Sequence, residues 1–335
     1  RKRPRGFWSG RVLAVLSIPI VVASTWVAVS VTWTRTHQDV EPRPTGGYPI
    51  GTWSERTFVN TNTGGAPQRW VVEAARMTIH QGGRVRSALV SRPTSIAPGV
   101  RLPVVMVVPG LGSSATTAFE EGAAGYMPAQ FPSIVVIPET EWYSWNAGGC
   151  CRPATILGTD DVAFLDSIVT DMKARPDVDP ARVYMWGFSN GGKMVYRYLC
   201  DHADRLAGAM SVAGTNLSGC NPDAPIDLLH VHGTKDDVMS YQGENTVLSV
   251  LFGSWHIPPA PDAIADVAGS MGCGEPPDPG PSSEAYGFRV TSIEWQGCDD
   301  GVRVRFVTYH GMGHWWPVGP PWSTLEDAPR FFGLK

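Results

Sequence analysis

Arg182-Val183-Tyr184-Met185-Trp186-Gly187-Phe188-Ser189-Asn190-Gly191-Gly192-Lys193-Met194-Val195-Tyr196-Arg197-Tyr198-Leu199 is the stretch that decides how this chain folds. An apolar run of strand character enters Gly187-Phe188-Ser189-Asn190-Gly191, and a helix-like stretch leaves it. G-x-S-x-G between a strand and a helix is a nucleophile elbow, a turn tight enough to force its serine into a strained backbone conformation. Glycines flank the serine because a Cβ would collide there with the neighbouring strand and helix. The turn lifts the hydroxyl clear of the sheet edge and aims the first amides of the helix at any oxyanion forming beside it. A lone pentapeptide would be only a glycine-rich turn carrying a serine. Its strand–turn–helix context, with suitable partners downstream, makes Ser189 a candidate nucleophile.

A serine hydroxyl attacks poorly until a neutral imidazole takes its proton, and a carboxylate must hold that imidazole in the right tautomer. On a strand–elbow–helix scaffold the acid follows the serine in the chain and the histidine follows the acid. Asp227-Leu228-Leu229-His230-Val231-His232-Gly233-Thr234-Lys235-Asp236-Asp237 reads as a buried strand ending in a polar loop, with Asp236 and Asp237 as candidate acids. Val302 to Tyr309 alternates apolar and polar residues like a half-exposed strand. It runs into His310-Gly311-Met312-Gly313-His314-Trp315-Trp316-Pro317. His314 follows two glycines, so its loop is able to bend back toward Ser189, whereas His310 ends the strand as a packed or surface imidazole. His230 and His232 read as hydrogen-bonded structural histidines. An oxyanion needs two backbone donors. Asn190, next to the nucleophile, supplies one. Leu111, in Pro109-Gly110-Leu111-Gly112-Ser113-Ser114 after the apolar strand Leu102–Val108, supplies the other.

These residues resemble a family of secreted serine esterases, the poly(3-hydroxybutyrate) depolymerase and feruloyl esterase group. The resemblance covers roughly residues 84–317. It is carried also by Trp145-Asn146-Ala147-Gly148-Gly149-Cys150-Cys151, Asp160-Asp161-Val162-Ala163-Phe164, Val178-Asp179-Pro180-Ala181-Arg182-Val183-Tyr184, His232-Gly233-Thr234-Lys235-Asp236 and Gly313-His314-Trp315-Trp316-Pro317. It implies an α/β-hydrolase fold and a cofactor-free carboxylic ester hydrolase acting on polyhydroxyalkanoates, hydroxycinnamoylated or acetylated glycans, or small acyl esters. It assigns the acid to Asp236, the first carboxylate after His-Gly-Thr-x, and favours a Cys273–Cys298 bridge. One departure is Pro109-Gly110, where the family usually begins its oxyanion loop His-Gly. Two other readings stand beside the esterase: a serine peptidase or amidase on the same fold, and a membrane-anchored envelope binding protein with a vestigial site. The intact Ser, Asp and His positions weigh against the last.

The 335 residues suit one large α/β domain with appendages. Strands are expected near 70–79, 84–91, 103–108, 133–138, 182–186, 208–213, 227–232 and 302–309. Helices are expected near 116–128, 160–174, 191–204, 261–271 and 323–332. This pattern predicts an eight-stranded, mostly parallel sheet with helices on both faces and a site at the carboxyl ends of the strands. Asp160 and Asp161 read as the cap of the 160–174 helix. Trp145, Trp315 and Trp316 are candidate substrate-binding rings, and the 242–262 stretch, with Trp255, is a candidate cover for the site.

Net charge is −4, but residues 1–40 hold six basic residues against Asp39 alone, leaving 21 basic and 30 acidic side chains and a balance of −9 beyond them. An acidic domain without a Lys/Arg stripe argues against a nucleic-acid partner. The basic Arg1–Arg11 segment precedes 22 uncharged residues, Val12 to Trp33. That length predicts a membrane-spanning signal anchor at 12–33, or a cleaved signal peptide, with the domain outside the cytoplasmic membrane. Residues 1–35 thus read as tail and anchor, 36–68 as a Pro/Gly-rich extracytoplasmic linker, and 69–335 as the catalytic domain. Six cysteines fit an oxidising compartment and allow fifteen pairings. A Cys200–Cys220 bridge, leaving Cys150 and Cys151 as a vicinal pair, is one completion among them. No C-x-x-C spacing or histidine cluster indicates a metal. The oligomeric state is not legible.

Overall fold

The computed structural model describes residues 47–60, 68–120, 124–245, 247–251, 253, 256–276, 278–280, 282–285, 287–317 and 324–334. The expected membrane segment at 12–33 lies outside these residues, as does Trp255. Among the described residues no helix is long and apolar enough to cross a membrane.

The strands are β1 (Ser54–Asn60), β2 (Gln68–Gln81), β3 (Arg84–Pro93), β4 (Leu102–Val108), β5 (Ile134–Pro138), β6 (Val178–Phe188), β7 (Gly208–Val212), β8 (Leu228–Gly233), β9 (Ser283–Ala285), β10 (Phe288–Trp295) and β11 (Val304–His310). They form one sheet in the order β1-β2-β3-β5-β4-β6-β7-β8-β11-β10-β9. The run from β5 to β11 is parallel throughout, and antiparallel strands flank it on both sides. Every residue of β4, β5, β7 and β8 is buried, as strands covered on both faces require.

The helices are α1 (Ala115–Glu120), α2 (Met127–Gln130), α3 (Ala154–Leu157), α4 (Asp161–Lys173), α5 (Asn190–His202), α6 (Val247–Leu251), α7 (Ala260–Ser270) and α8 (Thr324–Phe331). Phe164, Leu165 and Ile168 of α4, Met194 and Val195 of α5, and Ile264 and Val267 of α7 pack together on one face of the sheet. Phe119 of α1, Met127 of α2, and Ala328 and Phe331 of α8 pack on the other.

Three corrections to the sequence reading follow. The sheet has eleven strands, the eight expected ones with β1, β9 and β10 added at its edges. β1 falls inside the stretch expected to be a linker. It pairs with β2 from Ser54↔Ala74 to Asn60↔Gln68. Just before it, the Tyr48 N–H donates to Asp171 Oδ1 at 2.6 Å and Arg175 Nη2 donates to the Tyr48 carbonyl at 2.7 Å. The folded domain therefore begins by residue 47, because this chain completes the edge of the long β2 strand and ties itself to α4. The third correction concerns β11, expected half-exposed. It is an interior strand, since β10 covers its far side and Glu294 stands opposite Arg305 in register and pairs with it. The polar alternation here records arginines held in ion pairs, Arg305 with Glu294 and, just before the strand, Arg303 with Asp227, while β11 is otherwise mostly buried.

Cys150–Cys151, Cys200–Cys220 and Cys273–Cys298 are bridged. The last joins the end of α7 to the approach of β11.

Candidate active site

The elbow is a packing necessity before it is a chemical device. β6 delivers Ser189 with φ 53° and ψ −116°, outside the regions L-residues favour, and α5 begins at the next residue. Gly187 and Gly191 allow this. A Cβ on Gly187 would fall on the Gly191 backbone, and one on Gly191 would fall on the Val108 carbonyl at the end of β4. Gly110 lets the loop after β4 approach: a Cβ there would stand 3.1 Å from the Phe188 ring and 3.5 Å from the Ser189 Cβ.

At this turn Ser189 Oγ lies 2.9 Å from His314 Nε2. His314 Nδ1 lies 2.8 Å from Asp236 Oδ2. The other carboxylate oxygen, Oδ1, accepts the backbone N–H groups of Val238 at 3.0 Å and Met239 at 2.7 Å. Burial by itself would raise the Asp236 carboxyl, but the His232 and His314 N–H groups outweigh it and hold the group well below the usual carboxylate range. The acid therefore stays ionised, and Nδ1 of His314 must carry the proton it donates. That leaves Nε2 free to accept from Ser189. It is Asp236 that meets His314, whereas its neighbour Asp237 is exposed. It also separates His314 from His310, which sits on the β11–β10 edge against Arg289 and Thr291.

The two expected oxyanion donors occupy suitable elements. Asn190 heads α5, whose first N–H groups have no acceptor within the helix. Leu111 lies in the loop that Gly110 brings against the elbow, and this loop is strapped by Gly112 N–H to Tyr143 carbonyl (2.8 Å) and Thr140 Oγ1 to Ser113 carbonyl (3.1 Å). A cleft of about 350 Å³ opens beside it, lined among others by Leu111, Thr117, Phe188, His314, Trp315 and Trp316. Trp315 is 41% exposed, and Trp316 packs against Phe188 with ring centroids 5.9 Å apart.

Trp145 does not join them. It is fully buried, expected as a substrate ring but found beneath the site. Its indole N–H donates to the Pro109 carbonyl at 2.8 Å, its backbone N–H donates to Asn190 Oδ1 at 2.8 Å, and Asn190 Nδ2 returns a bond to its carbonyl at 3.2 Å. Trp145 thus braces the loop of Leu111 against the head of α5, which explains why an amphipathic ring sits where no substrate reaches.

Sequence reasoning missed the supports of this brace. Asp160 caps α4 as expected, through the Ala163 N–H at 3.1 Å. Asp161 instead turns inward, pairs with Arg86 at 2.8 Å, and accepts the Asn146 N–H and the Thr159 hydroxyl. Lys193, one turn past Ser189, is buried with its ammonium 3.2 Å from Cys150 Sγ. Burial pushes it down to about 7, with the Asp236 charge opposing. A lysine among Met194, Val195 and Tyr196 was the available signal for a buried cation. Among the described residues no group of His, Cys, Asp and Glu is disposed to hold a metal ion.

No family model matches the chain. It is 30% identical over 177 residues to the bifunctional acetylxylan esterase/xylanase XynS20E of Neocallimastix patriciarum, covering 52% of this chain and 24% of that protein. To feruloyl esterase B of Piromyces equi it is 32% identical over 215 residues, covering 61% of this chain and 34% of that protein. The chain thus spans about a quarter to a third of these relatives' length. Among solved structures, the acetyl xylan esterase from Aspergillus awamori superposes with a TM-score of 0.51 at 13% identity, covering 75% of this chain and 94% of that one. The chain has the α/β-hydrolase fold. Within that fold the strands β4, β6, β8 and β11 lead to Leu111, Ser189, Asp236 and His314, candidate residues gathered at the carboxyl ends of the parallel strands.

Proposed function

We propose that this protein is a serine-dependent carboxylic ester hydrolase. The observation that carries the reading is the unbroken hydrogen-bond chain Ser189–His314–Asp236, at 2.9 and 2.8 Å, on an elbow beside a largely apolar cleft that Phe188 and His314 help to line. Ser189 Oγ attacks the ester carbonyl while His314 Nε2 takes its proton, and Asp236 steadies the imidazolium that forms. The tetrahedral oxyanion faces the N–H groups of Asn190 and Leu111. His314 then protonates the departing alcohol, leaving an acyl-enzyme on Ser189. Water, deprotonated by the same imidazole, releases the acid and restores the serine. No cofactor takes part.

The relatives' names, acetylxylan esterase and feruloyl esterase, support an acyl ester of a glycan as substrate; polyester and small acyl esters are the other members of this class. Trp315 and Trp316 are the candidate walls for the acyl or sugar portion. The three disulfides support an extracytoplasmic domain, anchored through residues 12–33 or released. The test is turnover of p-nitrophenyl acetate and butyrate beside peptide anilides. Ester hydrolysis that vanishes in Ser189→Ala is expected. Folded protein that cleaves anilides but no ester would make it a peptidase instead. A panel of feruloyl, acetyl-xylan and hydroxybutyrate-oligomer substrates then ranks the acyl groups.

A further inference from the structure

A second line of hydrogen bonds runs through the core behind the site, from α5 to β8. Tyr196 Oη lies 2.8 Å from His230 Nδ1, His230 Nε2 lies 3.1 Å from His232 Nδ1, and His232 Nε2 lies 2.8 Å from the Met239 carbonyl. All three side chains are buried, the two imidazoles completely.

The direction of this chain follows from its last acceptor. A carbonyl only accepts, so His232 Nε2 carries a hydrogen. In a neutral ring Nδ1 then accepts, and His230 Nε2 is its donor. His230 Nδ1 is left to accept from the Tyr196 hydroxyl. Every polar atom is satisfied in this one arrangement. Protonating His232 would reverse the chain and leave the buried Tyr196 hydroxyl hydrogen without an acceptor, a loss the interior penalises. Burial, and the neighbouring His232, hold His230 well below the ordinary histidine range.

The far end of the chain meets Asp236. The His232 Nε2–H that bonds Met239 also stands 3.5 Å from Asp236 Oδ2, the oxygen that accepts from His314. Met239 in turn donates its N–H to Asp236 Oδ1. Met239 is therefore held from both sides, and the carboxylate with it. The charged and titratable groups facing Asp236 are His314, His232 and, from α5, Lys193.

We propose that His232 is a positioning residue for the Asp236 carboxylate, its tautomer fixed by a one-directional hydrogen-bond chain from Tyr196 through His230. This rests on the reading of Ser189, His314 and Asp236 as a catalytic triad. Two substitutions separate positioning from packing. His232→Gln places an amide nitrogen where Nε2 stands and keeps a donor to Met239 and Asp236. His232→Asn keeps an acceptor near Nδ1 but loses the donor.

In the full chain, with p-nitrophenyl butyrate, His232→Asn lowers kcat about 30-fold with KM within about twofold, while His232→Gln stays within about threefold of the parent. Equal losses in the two variants, or none in either, with Ser189→Ala inactive, overturn the role of His232 and leave the triad standing. Turnover surviving in Ser189→Ala strikes the triad instead. Long-range ¹H–¹⁵N spectra of the unsubstituted protein decide the matter even where a variant fails to fold. Both rings are expected as Nε2–H tautomers, and an Nδ1–H tautomer in either overturns the proposal.

Discussion

Asp236 and Asp237 are neighbours with opposite surroundings, and that contrast makes the sharpest residue-level prediction. Asp236 accepts from His314, Val238 and Met239 in a buried turn, whereas Asp237 faces solvent. Asp236→Asn is expected to lower kcat by about 10³–10⁴, since an amide cannot hold the imidazole tautomer that leaves Nε2 free. Asp237→Asn is expected to leave kcat within about threefold. Steady-state kinetics of the two variants check this, and reversed phenotypes would shift the acid by one residue. Lys193 makes a prediction about pH. Its pKa in the fold, about 7, lies below the ordinary 10.5. Between these values the unfolded chain binds more protons than the folded one, so Lys193 makes stability rise with pH across that window, and its cost is fully present below it. Lys193→Met is expected to flatten the slope between pH 7 and 10.5 and to raise stability at pH 7, read from urea midpoints. The inward turn of Asp161 was not legible in sequence, and Lys193 showed only in its apolar neighbours Met194, Val195 and Tyr196, because a charge on a helix reads as solvated until its tertiary partner is known. The serine, by contrast, was legible, since only a strand–elbow–helix explains glycines at 187 and 191.

At the scale of elements, the interior strands were legible because burial on both faces leaves continuous apolar runs such as Leu102–Val108 and Ile134–Pro138. β1, β9 and β10 were not. Edge strands bury little, and Ser54–Thr57 is exposed along its whole length, so no apolar period marks it. Trp145 failed for a related reason: an indole suits a substrate platform and an interior brace equally, and only the Pro109 carbonyl decides between them. The Cys273–Cys298 bridge carries the element-level prediction. It spans 25 residues and ties α7 to the approach of the strand that bears His314. Replacing both cysteines by serine is expected to cost roughly 3 kcal/mol in the chain-entropy view. Activity is expected to fall at lower urea than in the parent. A variant with the parent's urea midpoint would show that β10 and the Arg303–Asp227 pair already hold this segment.

Among the described residues the sheet is open rather than closed, and its two ends are unlike. One end, among the described residues, is the three-residue strand β9. The other is β1, which turns Glu55 and Arg56 to solvent. A short strand and a charged one are both poor templates for a neighbouring chain, because there is little backbone to zip onto and ions must be stripped of water to do so. Such rims keep concentrated protein from accreting edge to edge. Replacing Glu55 and Arg56 by valine would convert one rim into an adhesive strip, visible as rising turbidity in a solution that otherwise stays clear.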